Sequence, residues 1–181
     1  MVDQDNASQS HQTKAKTTRL PKLIGAALTP IPLVLLQPVL GRLVRDIAKR
    51  RPELFERLGP HTETFFMIEI DEFPFVLRLL PDPEQPKLTA HRRHENIEFG
   101  ASIGGPFMTL FTIIDGNSDS DAMFFARDVR VGGNTEAAVC LRNAMDDLEG
   151  SVIDDILDIG GPLFAPLRLV MAHLRTREAA I

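Results

Sequence analysis

The stretch that decides the fold runs Met123-Phe-Phe-Ala-Arg-Asp-Val-Arg-Val-Gly-Gly-Asn-Thr-Glu-Ala-Ala-Val-Cys-Leu-Arg-Asn-Ala-Met-Asp146. Met123 to Val131 is rich in strand-forming residues and reads as a β-strand. Gly132-Gly133 then turns the chain. Asn134 suits a helix N-cap, and Glu136 suits the positive end of the helix dipole. The spacing predicts a helix from about Thr135 to Leu148.

Upstream, Pro106 opens a second helix that is apolar almost all round: Phe107, Met108, Leu110, Phe111, Ile113 and Ile114. Such a helix must be covered on most sides or face an apolar cavity. Four strands are predicted before it. Thr62 to Ile70 and Phe73 to Leu80 form a hairpin around Asp71-Glu72. Lys87 to Arg93 and Ile97 to Ile103 form a second pair around His94-Glu95-Asn96, and Gly104-Gly105 break the last strand. The second pair is less apolar and is expected nearer solvent. In the first strand Phe66, Ile68 and Ile70 share one face, while Phe65 and Met67 share the other, so both faces are expected to be covered. With Met123 to Val131 as the fifth strand, the fold class is α+β. It is a five-stranded, mostly antiparallel sheet covered by helices, without the alternation of a doubly wound fold.

Residues 1–18 are polar and read as a disordered tail. Residues 19–58 form an N-terminal amphipathic helical segment. From Pro32 onward, Leu33, Leu36, Leu40, Val44 and Ile47 recur at helical spacing, opposite Arg42, Arg45, Asp46, Lys49 and Arg50. Two readings stay open. The helix packs on its own domain, or it docks on a membrane or partner through Leu33, Leu36, Leu40, Val44 and Arg45. Leu23 to Gly41 carries no charge, but Pro30, Pro32 and Pro38 argue against a transmembrane span. No signal peptide is expected, which points to the cytoplasm, with peripheral contact at the inner membrane. Residues 59–150 form the main domain. In residues 151–181, Gly160-Gly161-Pro162 separate a short segment from a last helix, Leu163 to about Arg177.

The chain has 181 residues, enough for one domain with a sizeable core. Net charge is −5, which argues against nucleic-acid binding. Cys140 is the only cysteine, so no internal disulfide and no four-thiolate metal site can form. Tyr and Trp are absent and all 11 aromatic residues are Phe, so whatever they line is dry.

Nothing resembles a catalytic constellation. His91-Arg92-Arg93-His94 reads as a solvated strand edge, since alternate residues of a strand face opposite ways. Gly132-Gly133-Asn134-Thr135 matches no phosphate-binding pattern and reads as a turn plus N-cap. Asp146-Asp147 with Glu149, and Asp154-Asp155 with Asp158, read as solvated helix faces. Cys140, among Ala138, Val139 and Leu141, reads as a buried, inert thiol. No catalytic residue, metal ligand or cofactor is expected.

The Met123 to Asp146 segment resembles the most distinctive part of the sterol carrier protein type two family, and within it the bacterial accessory factors of ubiquinone biosynthesis. The shared features are an apolar strand with Phe-Phe and Arg, then Gly-Asn-Thr-Glu, then a helix ending near Asn-x-Met-Asp. The likeness covers residues 20 to 150. Gly133 departs from it, and the C-terminal part has no match. The resemblance implies an apolar tunnel that binds lipid or isoprenoid. Its ligand would be phospholipid or a polyprenylated quinone precursor, and its partners the hydroxylase components of ubiquinone biosynthesis working without oxygen. Residues expected to line the tunnel are Phe65, Met67, Phe99, Phe107, Met108, Leu110, Phe111, Ile114 and Phe124; the alternative for each is an ordinary core. A homodimer is compatible with these expectations. The competing reading is a structural or interaction protein that docks through its N-terminal helix.

Overall fold

The computed structural model describes residues 32–115, 128–146 and 152–160. In chain order its elements are α1 (Leu33–Arg50), α2 (Pro52–Glu56), a 3-10 turn (Gly59–His61), β1 (Phe66–Ile70), β2 (Phe75–Leu80), β3 (Lys87–Arg92), β4 (Ala101–Gly105), α3 (Phe107–Asp115), β5 (Arg130–Gly133), α4 (Thr135–Asp146) and α5 (Val152–Gly160). The expected tail 1–18, the expected last helix at 163–177 and the Met123 to Arg127 part of the predicted strand lie outside the described residues.

Helix α1 begins where Pro32, in extended backbone, leaves the chain ready to turn. Pro38 lies within the helix without ending it. Arg51 breaks the helical dihedrals, and Pro52 opens α2 at the first helical position, where its missing N–H costs nothing.

The five strands lie in the order β3-β2-β1-β4-β5. β1–β2, β2–β3 and β4–β5 are antiparallel, while β1 and β4 run parallel. The predicted second hairpin therefore does not form. β4 starts at Ala101 rather than Ile97 and pairs with β1, not β3. Residues 93–100 instead cross the sheet, past β2 and β1. Three strand spacings are about 14 Å, well within the reach of eight extended residues at about 3.3 Å each.

The expectation that this pair lies nearer solvent also fails for β4. Ala101 is fully buried and Ile103 nearly so. The reason is size. Ala101 packs in one cluster with Ala137, Ala138 and Ala144 of α4, small against small, so close packing replaces bulk. Nor do Gly104-Gly105 break the strand; both belong to β4. A Cβ on Gly105 would sit 2.8 Å from the Asp128 carbonyl oxygen, so glycine is what lets this backbone approach. Likewise β5 includes Gly132 and Gly133, beyond the predicted end at Val131.

One face of the sheet carries Phe66, Ile68, Ile70, Leu77, Leu79, Leu88, Ala90 and Ile103 and is covered by helices. Leu43, Val44 and Ile47 of α1 cluster there with Leu54 and Phe55 of α2, against Leu79, Leu88 and α5 residues Ile156 and Ile159. Asn134 Oδ1 accepts the Ala137 N–H at 3.1 Å and caps α4. Asn134→Ala should therefore cost about 1 kcal/mol of stability, read by urea denaturation. No change beyond error would show the cap to be idle.

Candidate functional site

The residues expected to line one cavity divide between the two faces of the sheet. Phe107, Leu110 and Phe111 of α3 are buried in the helical layer, with Met108 half-buried. Ile114 belongs to α3, but its side chain, like the whole of Phe124, lies outside the described residues. Phe107 anchors the layer: its N–H donates to Glu72 Oε2 at 2.8 Å, a carboxylate at the positive end of the helix. Its ring continues a file of aromatics. Phe75 to Phe73 is 5.2 Å between centroids, Phe73 to Phe107 is 6.0 Å, and Phe107 to Phe111 is 5.7 Å. These separations suit favourable ring packing. Phe73 and Phe75 are not among the residues expected from the sequence. Their signal is the Phe73-Pro74-Phe75 spacing at the turn, which needs the tertiary fold to bring it beside α3.

Phe65, Met67 and Phe99 lie on the other face. Met67 alternates with the buried Phe66 and the half-buried Ile68, both packed against the helical layer, so it points away from the helices. Phe65 stacks under the Arg78 guanidinium, whose Cζ is 3.5 Å from the ring centroid. Phe99, in the crossing segment, is 40% exposed. Met67 and Phe99 meet in a cleft of about 190 Å³, together with Glu69, Val76, Arg93, Glu95, Asn96 and Ile97.

Helix α1 turns the apolar stripe of its sequence inward. Leu40 and Val44 are buried, and Leu33 and Leu36 pack against the cluster of Leu40, Phe75 and Ala90. The Gln37 amide donates to the Ala90 carbonyl at 2.7 Å and accepts the Ala90 N–H at 3.3 Å, closing the outer edge of β3. The outward arc is different. Val34 is 78% exposed and Leu35 64%. Pro38, Arg42, Arg45 and Lys49 are also exposed. At 100° per residue these six positions share an arc of about 100°. Arg42 reaches Asp46 at 3.4 Å; Arg45 and Lys49 extend the cationic end.

The polar clusters serve structure. His91 Nδ1 lies 3.2 Å from Glu95 Oε2, and its Nε2 lies 2.9 Å from Thr89 Oγ1. Glu95 also accepts the Arg92 N–H. That backbone bond, then the His91 bond, holds its carboxyl below the usual range. Arg130 donates to Asp71 at 2.6 Å, which holds its guanidinium above its ordinary value against the effect of burial. Asp155 is not the solvated carboxylate that was expected. It receives Arg50 at 3.2 Å and Arg51 at 2.9 Å, only 18% exposed, and ties α5 to the α1–α2 junction. The Cys140 thiol is half-buried rather than buried and faces the carbonyls of Arg57 and Leu58 at 3.5 and 3.8 Å. Among the described residues, no three His, Cys, Asp or Glu side chains gather as metal ligands. Nor is any described helix long and apolar enough to cross a membrane.

No family model matches the chain, and no curated protein matches it. Solved structures do. A ubiquinone synthesis protein, UbiJ-SCP2, matches at 15% identity over 68% of this chain and 89% of its own, with a TM-score of 0.42. Sterol Carrier Protein 2 from Yarrowia lipolytica, in its apo form, matches at 11% over 64% and 93%, with a TM-score of 0.40. The sterol carrier protein domain 2 of Helicoverpa armigera matches at 12% over 65% and 91%, with a TM-score of 0.42. The chain's own fold is α+β, with an open, mixed five-stranded sheet.

Proposed function

We propose that this protein is a non-catalytic carrier of a lipid or polyprenylated quinone precursor, acting as an accessory factor in oxygen-independent ubiquinone biosynthesis. The observation that carries the reading is the aromatic file Phe75–Phe73–Phe107–Phe111, a dry wall running from the sheet to the all-round apolar helix α3. A hydrocarbon tail laid along such a wall gains about 0.8 kcal/mol per buried methylene, less the cost of ordering the chain. The Gly-Asn-Thr-Glu segment, with its strand and capped helix, supports the same family reading. In that role the protein hands its ligand to the hydroxylase components and performs no chemistry itself. Deletion of the gene, followed by quinone analysis with and without oxygen, tests the pathway. Ubiquinone should disappear only without oxygen; unchanged ubiquinone in both conditions would refute the assignment.

The outward arc of α1 favours peripheral docking on an anionic lipid surface. Val34 and Leu35 would enter the headgroup layer while Arg42, Arg45 and Lys49 face the phosphates. Each cation near such a surface contributes about 1 kcal/mol, so replacing all three by Glu should weaken vesicle binding by at least about 100-fold. Co-sedimentation with phosphatidylglycerol vesicles reads this, and unchanged binding would exclude the arc as the contact.

A further inference from the structure

Helix α1 is built in two parts that meet at Pro38. Beyond it Leu40, Leu43, Val44 and Ile47 are buried, so every turn is fixed to the core. Within residues 33–37 nothing is buried: Leu33, Leu36 and Gln37 are half-buried, and Val34 and Leu35 stand exposed. Pro38 has no N–H, so the helical bond back to the Val34 carbonyl is missing, and the proline ring crowds that carbonyl. Gly41 adds a weak helix former in the next turn. A proline is where a helix bends, and a segment with few buried contacts and a depleted hydrogen-bond ladder is among the first to open. Residues 33–37 therefore form a flap hinged on a fixed helix.

The flap covers the start of the aromatic file. Leu33, Leu36 and Phe73 pack against the cluster of Leu40, Phe75 and Ala90. From Phe75 and Phe73 the rings continue to Phe107 and Phe111 of α3. The polar tie that holds the flap down is Gln37, whose amide exchanges two hydrogen bonds with the backbone of Ala90. Release of that side chain lets Leu33 and Leu36 lift off Phe73 and Phe75 while the buried part of α1 stays in place.

Pro38 also divides the outward arc. Val34 and Leu35, its apolar end, ride on the flap, whereas Arg42, Arg45 and Lys49 belong to the fixed part. We infer that residues 33–37 are the door of the ligand site and that an anionic lipid surface opens it. The cations hold the fixed part of α1 on the surface, Val34 and Leu35 enter the lipid, and the ligand tail passes between α1 and the Phe73–Phe75 turn. In water, opening exposes Leu33, Leu36 and Phe73, which favours the closed state. At the membrane the same side chains meet hydrocarbon, so the lipid surface favours the open one. The inference rests on the carrier reading and adds the route by which that site fills. It assigns docking and loading to different residues.

The test is transfer between phosphatidylglycerol vesicles by the full chain, with two cargoes, pyrene-labelled phosphatidylglycerol and a prenylated phenol. Co-sedimentation with the same vesicles is measured beside it. Pro38→Ala restores the missing bond and should slow transfer at least about 5-fold while vesicle binding stays within about 2-fold. Gln37→Ala releases the flap and should speed transfer at least about 3-fold. In a Cys140→Ala background, Gln37→Cys with Ala90→Cys is joined by a short bismaleimide. Cross-linking should slow transfer at least about 10-fold relative to the same protein before the reaction, with vesicle binding retained. The two single variants keep the inference open to refutation if the cysteine pair fails to fold. Equal transfer before and after cross-linking, or transfer in Pro38→Ala that falls only as far as vesicle binding falls, would overturn the door. A parent protein that takes up neither cargo would overturn the carrier reading, and the door with it.

Discussion

Replacing Gly133 by alanine should destabilise the protein by roughly 3 kcal/mol or more, the largest effect expected of so small a change. Gly133 has φ +66°, in the left-handed region. An L-residue there costs roughly 1–2 kcal/mol by itself. The added Cβ would also collide with the Gly100 carbonyl oxygen and lie 3.2 Å from the Ala101 Cα, which are backbone atoms that no rotamer change can move. Relief requires β5 to part from β4 at the very point where the Asn134 N–H donates to Gly100 O at 2.8 Å. Loss of that bond adds about 1 kcal/mol. Urea unfolding should show a large fall in midpoint with unchanged slope. A loss below about 1 kcal/mol would mean that the β5–α4 junction is not built as described.

Phe66→Ala should cost about 3–5 kcal/mol, the range for removing a fully buried aromatic side chain. Phe66 has no exposed surface. It stands between Leu79 of β2 and Ala101 of β4, in one cluster with Leu58, Ala137, Ala138 and Leu141. Fixed neighbours on the sheet limit how far the site can collapse, so a cavity remains. Phe99→Ala, on the opposite face and 40% exposed, should cost under about 1 kcal/mol. Thermal or urea unfolding of the pair compares the two faces directly. Equal losses would contradict the assignment of the core to the Phe66 side.

Local signals were legible where one side chain acts on its own backbone. Asn134 announced α4 because a cap needs only the next three residues. Helix α1 was legible from the spacing of Leu33, Leu36, Leu40, Val44 and Ile47. The alternation in β1 correctly separated Phe66, Ile68 and Ile70 from Phe65 and Met67. What period-2 alternation cannot express is which strand lies next door. β4 was placed beside β3 because the intervening residues resemble a turn, whereas its partner β1 lies a full crossing away. Ala101, Gly104 and Gly105 looked polar-edged or broken because smallness is not hydrophobicity. Ala101 is small because α4 packs on it, Gly104 because the Arg130 and Glu69 side chains crowd it, and Gly105 because the Asp128 carbonyl comes close. Asp155 looked solvated because its partners, Arg50 and Arg51, are about a hundred residues away.

The candidate site suffered the same limit. Each of its residues was recognisable as apolar, but the sheet divides Met67 and Phe99 from Phe107 and Phe111. Phe73 and Phe75 joined the aromatic file only once the turn before β2 was seen beside α3, with Phe73 against Phe107. The docking residues of α1 shifted for a related reason. An amphipathic stripe shows that one face is buried without showing against what. Here Leu40 and Val44 meet their own sheet, and the outward arc holds Val34 and Leu35 instead.

The central claim is that the helical layer holds an apolar ligand without transforming it. Native mass spectrometry of the freshly purified full chain, with organic extraction of the same sample, tests it most directly. The account predicts a bound species of lipid or polyprenyl mass, recovered chemically intact, and its loss in Phe111→Asp under conditions where the variant remains folded. Protein that is repeatedly ligand-free, and that takes up neither phospholipid nor a prenylated phenol on incubation, would contradict it.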